Sequence, residues 1–259
     1  MTHPRQRLLC RLAACVARSL PAVAAFLIGP LACAQQPYAP ERDALVREIQ
    51  EQVAGLSDEL GTDRLDPAVV EAMRRVPRHA FVPPPLRFEA YGNHPLPIGH
   101  GQTISQPFIV AIMSHLLGVE PGDKVYELGT GSGYQAAVLA EMGVEVWSVE
   151  IVPELAARAE SVLAELGYDK VHVRAGDGYL GWPEAAPFDG VIMTAALDHV
   201  PQPLVEQLKP GARLIMPIGD TPWGQQLVVM AKTEAGTLER RDLLPVRFVP
   251  VTGDNAGRR

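Results

Sequence analysis

A loop of three glycines and three carboxylates forms the part of this sequence best suited to chemistry. The glycines lie in GTGSG, residues 129–133, directly after an apolar segment. Glycine takes backbone conformations that other residues avoid and lets a ligand approach the main chain. Glu127 stands just before the loop, Glu150 lies 19 residues after Gly131, and Asp177 follows in a Gly-Asp-Gly sequence. This combination indicates a site for a small polar ligand.

The acidic residues narrow the choice of ligand. The loop has the spacing G-x-G-x-G, and Tyr134 stands where the dinucleotide fingerprint requires its last glycine. Glu127 would repel a diphosphate and suits a cationic group instead. Glu150 lies where a carboxylate accepts hydrogen bonds from a ribose diol, and Asp177 suits an adenine amino group. Together they predict a nucleoside with a positive tail, which describes S-adenosylmethionine. Singly, each acid has an ordinary alternative as a solvated loop carboxylate, or for Asp177 as a helix N-cap.

Alternating helices and strands would position these residues. Strands are predicted at 124–128, 144–149, 171–175, 190–194 and 213–217, and helices at 108–117, 134–142, 153–166 and 203–208. Segments 227–231 and 246–251 are predicted to pair as a terminal antiparallel hairpin. Upstream, 41–60 is predicted as an amphipathic helix and 68–75 as a second helix opened by Pro67. The alternation predicts an α/β fold with a doubly wound, mainly parallel sheet, in which ligands bind beyond the carboxyl ends of the strands.

The N-terminus differs from the rest of the chain in charge and in cysteine content. Residues 1–34 hold four arginines, no acidic residue and all three cysteines, Cys10, Cys15 and Cys33. The uncharged stretch 19–34 ends in Ala32-Cys33-Ala34, which fits the small-x-small pattern of a signal peptidase site before Gln35. An export signal is therefore predicted at 1–34, with an uncleaved anchor as the alternative. The remaining chain has 19 basic and 30 acidic residues, which argues against a nucleic-acid partner.

Four segments resemble one family of enzymes. They are YGNHPLPIGHGQTISQP (91–107), VYELGTGSGYQAAVLA (125–140), GDGYLGWPEAAPFD (176–189) and VRFVPV (246–251). The sequence resembles protein-L-isoaspartate O-methyltransferase over residues 66–252. This implies a Rossmann-like class I methyltransferase fold for 66–252, preceded by a linker and N-terminal helix at 35–65 and followed by a flexible tail at 253–259. The cofactor contacts are then expected from Glu127, Gly129, Thr130, Gly131, Gly133, Glu150, Asp177 and Gly178.

The resemblance also implies a reaction. The family transfers a methyl group from S-adenosylmethionine to the free α-carboxylate of an L-isoaspartyl residue in damaged protein, and the ester then collapses to a succinimide. Ser105 matches the residue that the family assigns to the active site, and Thr103 lies beside it in the same TISQP motif. The alternative is that both hydroxyls only cap the helix beginning near Pro107. No metal is expected, because His94 and His100 lack further ligands at metal spacing.

Two other functions remain open from the sequence. A nicotinamide-dependent oxidoreductase would use Gly129, Gly131 and Glu150 but leaves Glu127, Asp177 and the TISQP motif unexplained. A non-catalytic binding protein on a methyltransferase scaffold is the second alternative, since an exported protein would lack an assured supply of S-adenosylmethionine. The expected form is a monomer that acts on isoaspartyl proteins and peptides in the periplasm or outside the cell, without stable membrane association after signal cleavage. The alternative location is the cytoplasm, as is usual for the family.

Overall fold

The computed structural model describes residues 38–219, 221 and 223–257, and the predicted signal at 1–34 lies outside them. The helices are α1 (Ala39–Gly55), α2 (Ser57–Leu60), α3 (Pro67–Arg75), α4 (Pro107–Leu117), α5 (Tyr134–Glu141), α6 (Pro153–Glu165) and α7 (Gln202–Gln207). The strands are β1 (Leu96–Gly99), β2 (Gln102–Ile104), β3 (Lys124–Leu128), β4 (Glu145–Glu150), β5 (Val171–Ala175), β6 (Phe188–Met193), β7 (Leu208–Ile218), β8 (Gln225–Lys232) and β9 (Leu238–Val246).

A seven-stranded sheet in the order β5-β4-β3-β6-β7-β8-β9 forms the centre of the fold. The pairs from β5 through β7 are parallel, and β8 and β9 continue the sheet antiparallel. The chain runs from β3 outward in one direction through β4 and β5, then returns to β6 on the other side of β3. The carboxyl ends of β3 and β6 therefore flank a topological switch point, where sheets of this class bind their ligands. The predicted doubly wound α/β fold is confirmed.

Alternation along the strands builds one apolar layer on each face of the sheet. Val125, Ile192 and Ile215 point into a layer that also contains buried residues of α1, α3, α4, α5 and α6. Their neighbours Tyr126 and Val191 point into the opposite layer, together with residues such as Leu204 of α7. Side chains on successive strand residues face opposite sides, so a central strand buried on both faces becomes continuously apolar.

The N-terminal helices belong to the first of these layers. Leu45, Ile49 and Val53 recur on one face of α1 and are almost completely buried together with Val69 of α3. The single helix predicted over 41–60 is interrupted at Leu56, whose backbone leaves the helical region between α1 and α2. The helical extension and the methyltransferase domain thus share one core, and the expected boundary at residue 66 lies within it.

The predicted hairpin at the C-terminus is only half correct. β8 is antiparallel as expected, but its partner is β9, Leu238–Val246, and not the segment 246–251. Within β9 the residues 239–242 are all charged and exposed, as suits an edge strand. Residues 249–251 instead exchange backbone hydrogen bonds with Ala196 at the carboxyl end of the sheet, at 2.9 Å each. Residues 249–251 therefore lie at the ligand site and not in the hairpin.

One residue after 252, Asn255, is buried, whereas Gly253, Asp254 and Gly257 are exposed. Asn255 is 8% exposed and donates from its side chain to Asp177 Oδ2 at 2.7 Å. This contact differs from the flexible tail expected at 253–259. Within the residues that the structure describes, no helix is long and apolar enough to cross a membrane.

Candidate active site

The glycine loop joins β3 to α5 with three left-handed residues. Gly129, Gly131 and Gly133 have φ values of 95°, 55° and 89°. A Cβ on Gly129 would lie 2.5 Å from Thr194 Oγ1, and that hydroxyl donates to the Gly129 carbonyl at 2.5 Å. The loop is therefore closed against the end of β6, and larger residues would both strain it and displace Thr194.

Glu150 fixes the loop from the end of β4. Its Oε2 accepts the Gly131 N–H at 2.7 Å and its Oε1 accepts the Val152 N–H at 3.0 Å. The side chain is 5% exposed yet lines the cavity beside the loop. An ionised carboxylate has about four acceptor positions, so two remain for a ligand. Glu150 thus lies beside the glycine loop at the end of β4 and shapes the backbone of the loop, and its contact with a ribose diol stays a prediction.

Glu127 lies behind the loop in the protein interior. Its carboxylate is fully buried, Oε2 accepts from Ser148 Oγ at 2.5 Å, and Oε1 has no hydrogen-bond partner among the described residues. Ser148 Oγ also contacts Thr130 Oγ1 at 2.6 Å. Burial raises the pKa of Glu127 to about 8, and the charge of Glu150 acts in the same direction. The observed contacts connect Glu127 to the loop through Ser148 and Thr130, and the role of a direct cofactor contact stays a prediction.

Asp177 follows β5 and combines two contacts. Its Oδ1 accepts the Tyr179 N–H at 3.0 Å, which caps a short 3₁₀ turn at Gly178–Leu180, as the N-cap alternative anticipates. Its Oδ2 accepts from the backbone and the side chain of Asn255. Gly178 lines the cavity, and the Asp177 carboxylate is held between the turn and the C-terminal segment. Its proposed bond to an adenine amino group stays a prediction.

The TISQP segment lies opposite the glycine loop. β1 and β2 form a small hairpin, Thr103 is exposed on β2, and Ser105 follows it directly before α4. The α4 N-terminus has no side-chain cap from its own segment, and the Phe108 N–H is bound by Asn93 Oδ1 at 3.0 Å. The Ser105 hydroxyl makes no hydrogen bond to another described residue. The capping interpretation of Ser105 therefore finds no support, and the hydroxyl remains available to a ligand.

Two cavities meet at these hydroxyls. The first lies beside the glycine loop and is lined by residues 128–132, Glu150 and the segment 249–252. The second is a groove between the start of α4 and residues 244–249. Both are lined by Thr103, Ser105, Thr194 and Val249. This arrangement allows one molecule in the cavity and another in the groove to face each other at Ser105.

The first cavity fits S-adenosylmethionine better than a dinucleotide. Glu150 is the only charged side chain among the described residues that line it. A diphosphate would meet one carboxylate and no cation, whereas a sulfonium and an ammonium group would be attracted to the same wall. The available lone pairs of Glu150 suit a ribose diol. The nicotinamide alternative therefore does not match the charges of the cavity.

Comparison with known proteins identifies the family. A model of the family described as protein-L-isoaspartate(D-aspartate) O-methyltransferase matches residues 51–256. This chain belongs to that family. A protein of Syntrophobacter fumaroxidans named protein-L-isoaspartate O-methyltransferase 2 is 54% identical over 225 residues, which cover 87% of this chain and 91% of that protein. The predicted family resemblance is confirmed.

Solved structures carry the same fold. A protein-L-isoaspartate O-methyltransferase structure covers 83% of this chain and 67% of its own length, with a TM-score of 0.71 and 28% identity. A structure from Plasmodium falciparum, titled as a protein-L-isoaspartate O-methyltransferase in complex with S-adenosyl-L-homocysteine, aligns with a TM-score of 0.67 and 23% identity. It covers 82% of this chain and 98% of its own length, and it supports the fold.

Several residues of the site were not found from the sequence. Thr194 lines both cavities and closes the glycine loop, and Ser148 connects Glu127 to Thr130. Thr194 directly follows β6, the strand next to β3, and this position is the signal that could have identified it. His94 and His100 were interpreted as loop residues, and among residues 38–219, 221 and 223–257 no group of three His, Cys, Asp or Glu side chains is arranged to hold a metal.

Proposed function

We propose that the protein transfers the methyl group of S-adenosylmethionine to the free α-carboxylate of L-isoaspartyl residues in damaged proteins and peptides. Membership of the family supports the reaction, and the charges of the cavity support the cofactor. The observation that carries the proposal is the meeting of cavity and groove at Thr103, Ser105 and Thr194. A donor in the cavity and an acceptor in the groove then face each other within one chain.

The residues have separable tasks in this scheme. Glu150, the glycine loop and the residues behind it hold the cofactor, which supplies an electrophilic methyl group. Ser105 orients the acceptor carboxylate by donating a hydrogen bond that leaves the charge of the acceptor intact. A carboxyl with a pKa near ~4 is already ionised at neutral pH, so the reaction needs no general base. The protein contributes alignment and exclusion of water.

Transfer of a labelled methyl group tests the reaction. The purified protein is incubated with labelled S-adenosylmethionine and a peptide containing one isoaspartyl residue, with the normal aspartyl peptide as the matched control. Label is expected in the isoaspartyl peptide alone. Equal labelling of both peptides, or of neither, contradicts the proposal.

We further propose that residues 1–34 are an export signal and that the mature chain acts outside the cytoplasm. The basic start, the uncharged stretch 19–34 and the Ala-Cys-Ala site support this. All proposed site residues lie after residue 102, so deletion of 1–34 is expected to leave methyl transfer intact. N-terminal sequencing of protein from fractionated native cells should find Gln35 first. Soluble cytoplasmic protein that retains residues 1–34 would contradict export.

We propose a monomer as the active form, because a single chain already brings the cofactor cavity and the acceptor groove together at Thr103, Ser105 and Thr194. Light scattering coupled to gel filtration is expected to give a mass near that of a single chain. Activity confined to a dimeric fraction would contradict this.

A further inference from the structure

We propose that Arg247 and Trp223 form a subsite for an acidic side chain that neighbours the isoaspartyl residue. The protein would then methylate isoaspartyl residues in acidic sequence contexts more efficiently than those in basic contexts. This inference rests on the proposed function, because the subsite lies in the groove assigned to the acceptor peptide.

The two side chains form a stacked pair at the groove. The guanidinium carbon of Arg247 lies 3.7 Å from the ring centroid of Trp223, and both residues line the groove that reaches Ser105. Trp223 is 83% exposed, an unusual state for an indole. Stacking occupies one face of the guanidinium plane and leaves the N–H groups on its edge free to bind a carboxylate through two parallel hydrogen bonds.

The backbone on both sides of this pair is held firmly. The Gln225 side chain donates to the Phe248 carbonyl at 3.1 Å and accepts the Phe248 N–H at 2.6 Å, and Gln225 is 3% exposed. At the other end of the β7–β8 loop, a Cβ on Gly219 would lie 2.6 Å from the Gly224 carbonyl. Gly219 and Gly224 thus lie close together, and the backbone next to Arg247 is anchored to β8 through Phe248. An arginine on an anchored backbone loses less entropy on binding than one on a mobile segment.

The charge of the groove favours an anionic neighbour. Arg247 is the only charged side chain among the described residues that line the groove. The ion pairs between described residues all involve basic residues other than Arg247, although the chain after residue 34 carries a net charge of −11. A glutamate or aspartate of the acceptor would therefore meet a cation that has no ion-pair partner among the described residues, beside an apolar surface. A lysine at the same place would meet repulsion.

Peptides that differ in one flanking residue test the subsite. Each peptide contains one isoaspartyl residue, with Glu, Gln or Lys placed in turn at the two positions on either side of it. The measured quantity is kcat/KM for methyl transfer by the full chain, at low and at high ionic strength. At one or more positions, we expect the peptide with Glu to have a kcat/KM about threefold to tenfold higher than the peptide with Lys at low salt, with the Gln peptide in between. The ratio of kcat/KM for the Glu and Lys peptides should shrink at high salt, because salt screens a partly exposed ion pair between Arg247 and the peptide carboxylate.

Variants assign this preference to the pair. Arg247→Gln should reduce the Glu-to-Lys ratio to near one, and Trp223→Leu should reduce it partly because the guanidinium loses its stacking partner. Arg64→Gln is the matched control, since Arg64 is exposed away from the groove and its loss should leave the ratio unchanged. The ratio compares peptides on one protein sample, so partial unfolding of a variant does not alter it.

The outcomes distinguish failure of the subsite from failure of the proposed function. Equal rates for all peptides on wild-type protein, or a preference that Arg247→Gln retains, overturn the subsite and leave the proposed function standing. Methylation of no isoaspartyl peptide overturns the proposed function and the subsite together.

Discussion

Replacement of Glu150 tests the cofactor site most sharply, because this carboxylate both shapes the glycine loop and faces the cavity. Glu150→Ala removes the acceptors of the Gly131 and Val152 N–H groups along with those left for a ribose diol. A hydrogen bond to a charged group contributes about 1.5–3 kcal/mol. Loss of the ligand contact alone therefore predicts a ~10- to 100-fold weaker affinity. Disorder of the loop adds to this, so the upper part of the range is expected.

Calorimetric titration with S-adenosylhomocysteine measures the affinity directly. The affinity of Glu150→Gln should lie between those of Glu150→Ala and wild type. An amide has one acceptor oxygen and cannot satisfy both N–H groups as a carboxylate does. Glu154→Ala is the matched control, since Glu154 is exposed on the first turn of α6. At saturating cofactor the turnover of Glu150→Ala should change less than its affinity. An unchanged dissociation constant would remove Glu150 from the site.

Two further predictions concern residues behind the loop. Burial raises the pKa of Glu127 to about 8, so the folded protein keeps a proton that the unfolded protein releases above ~4.5. The free energy of unfolding of wild type should therefore fall as the pH rises from ~4.5 to about 8. Glu127→Gln has no carboxyl group to titrate. The melting temperature of this variant should therefore rise relative to that of wild type as the pH goes from 5 to 8. A difference that stays constant over this range would contradict this. Asn255→Asp places a second carboxylate beside Asp177, so it should weaken S-adenosylhomocysteine binding more than Asn255→Ala does in the same titration. Equal affinity in wild type and both variants would show that the C-terminal segment does not support the site.

The parts of the site that follow from local sequence were predictable. The glycine loop and Glu150 occupy fixed places relative to strands whose apolar residues are plain in the sequence. Parallel strands bring their carboxyl ends to one edge, so Glu150 had to lie near the loop once β3 and β4 were assigned. The TISQP motif was found by resemblance alone, because its hairpin and its place opposite the loop leave no periodic pattern.

The contacts that bring distant segments together were not predictable. β9 lies at an edge of the sheet and carries four consecutive charged residues. Its sequence therefore does not show the apolar alternation that predicts a buried strand. The sequence predicts segment 246–251 as that strand, but its residues line the cavity and the groove. Asn255 and Asp177 are 78 residues apart, and nothing in either local sequence indicates their hydrogen bonds.

Donor and acceptor are proposed to meet at Ser105, and replacement of this residue tests that arrangement. Ser105→Ala is assayed for S-adenosylhomocysteine affinity and for methyl transfer to a saturating isoaspartyl peptide, with Ser161→Ala, on the exposed side of α6, as the control. Ser105→Ala is expected to bind the cofactor product as wild type does while its kcat falls by about 10- to 100-fold, the effect of losing one hydrogen bond to a charged group, which contributes about 1.5–3 kcal/mol. Full activity at saturating peptide, or a loss that lies wholly in cofactor affinity, would contradict the account.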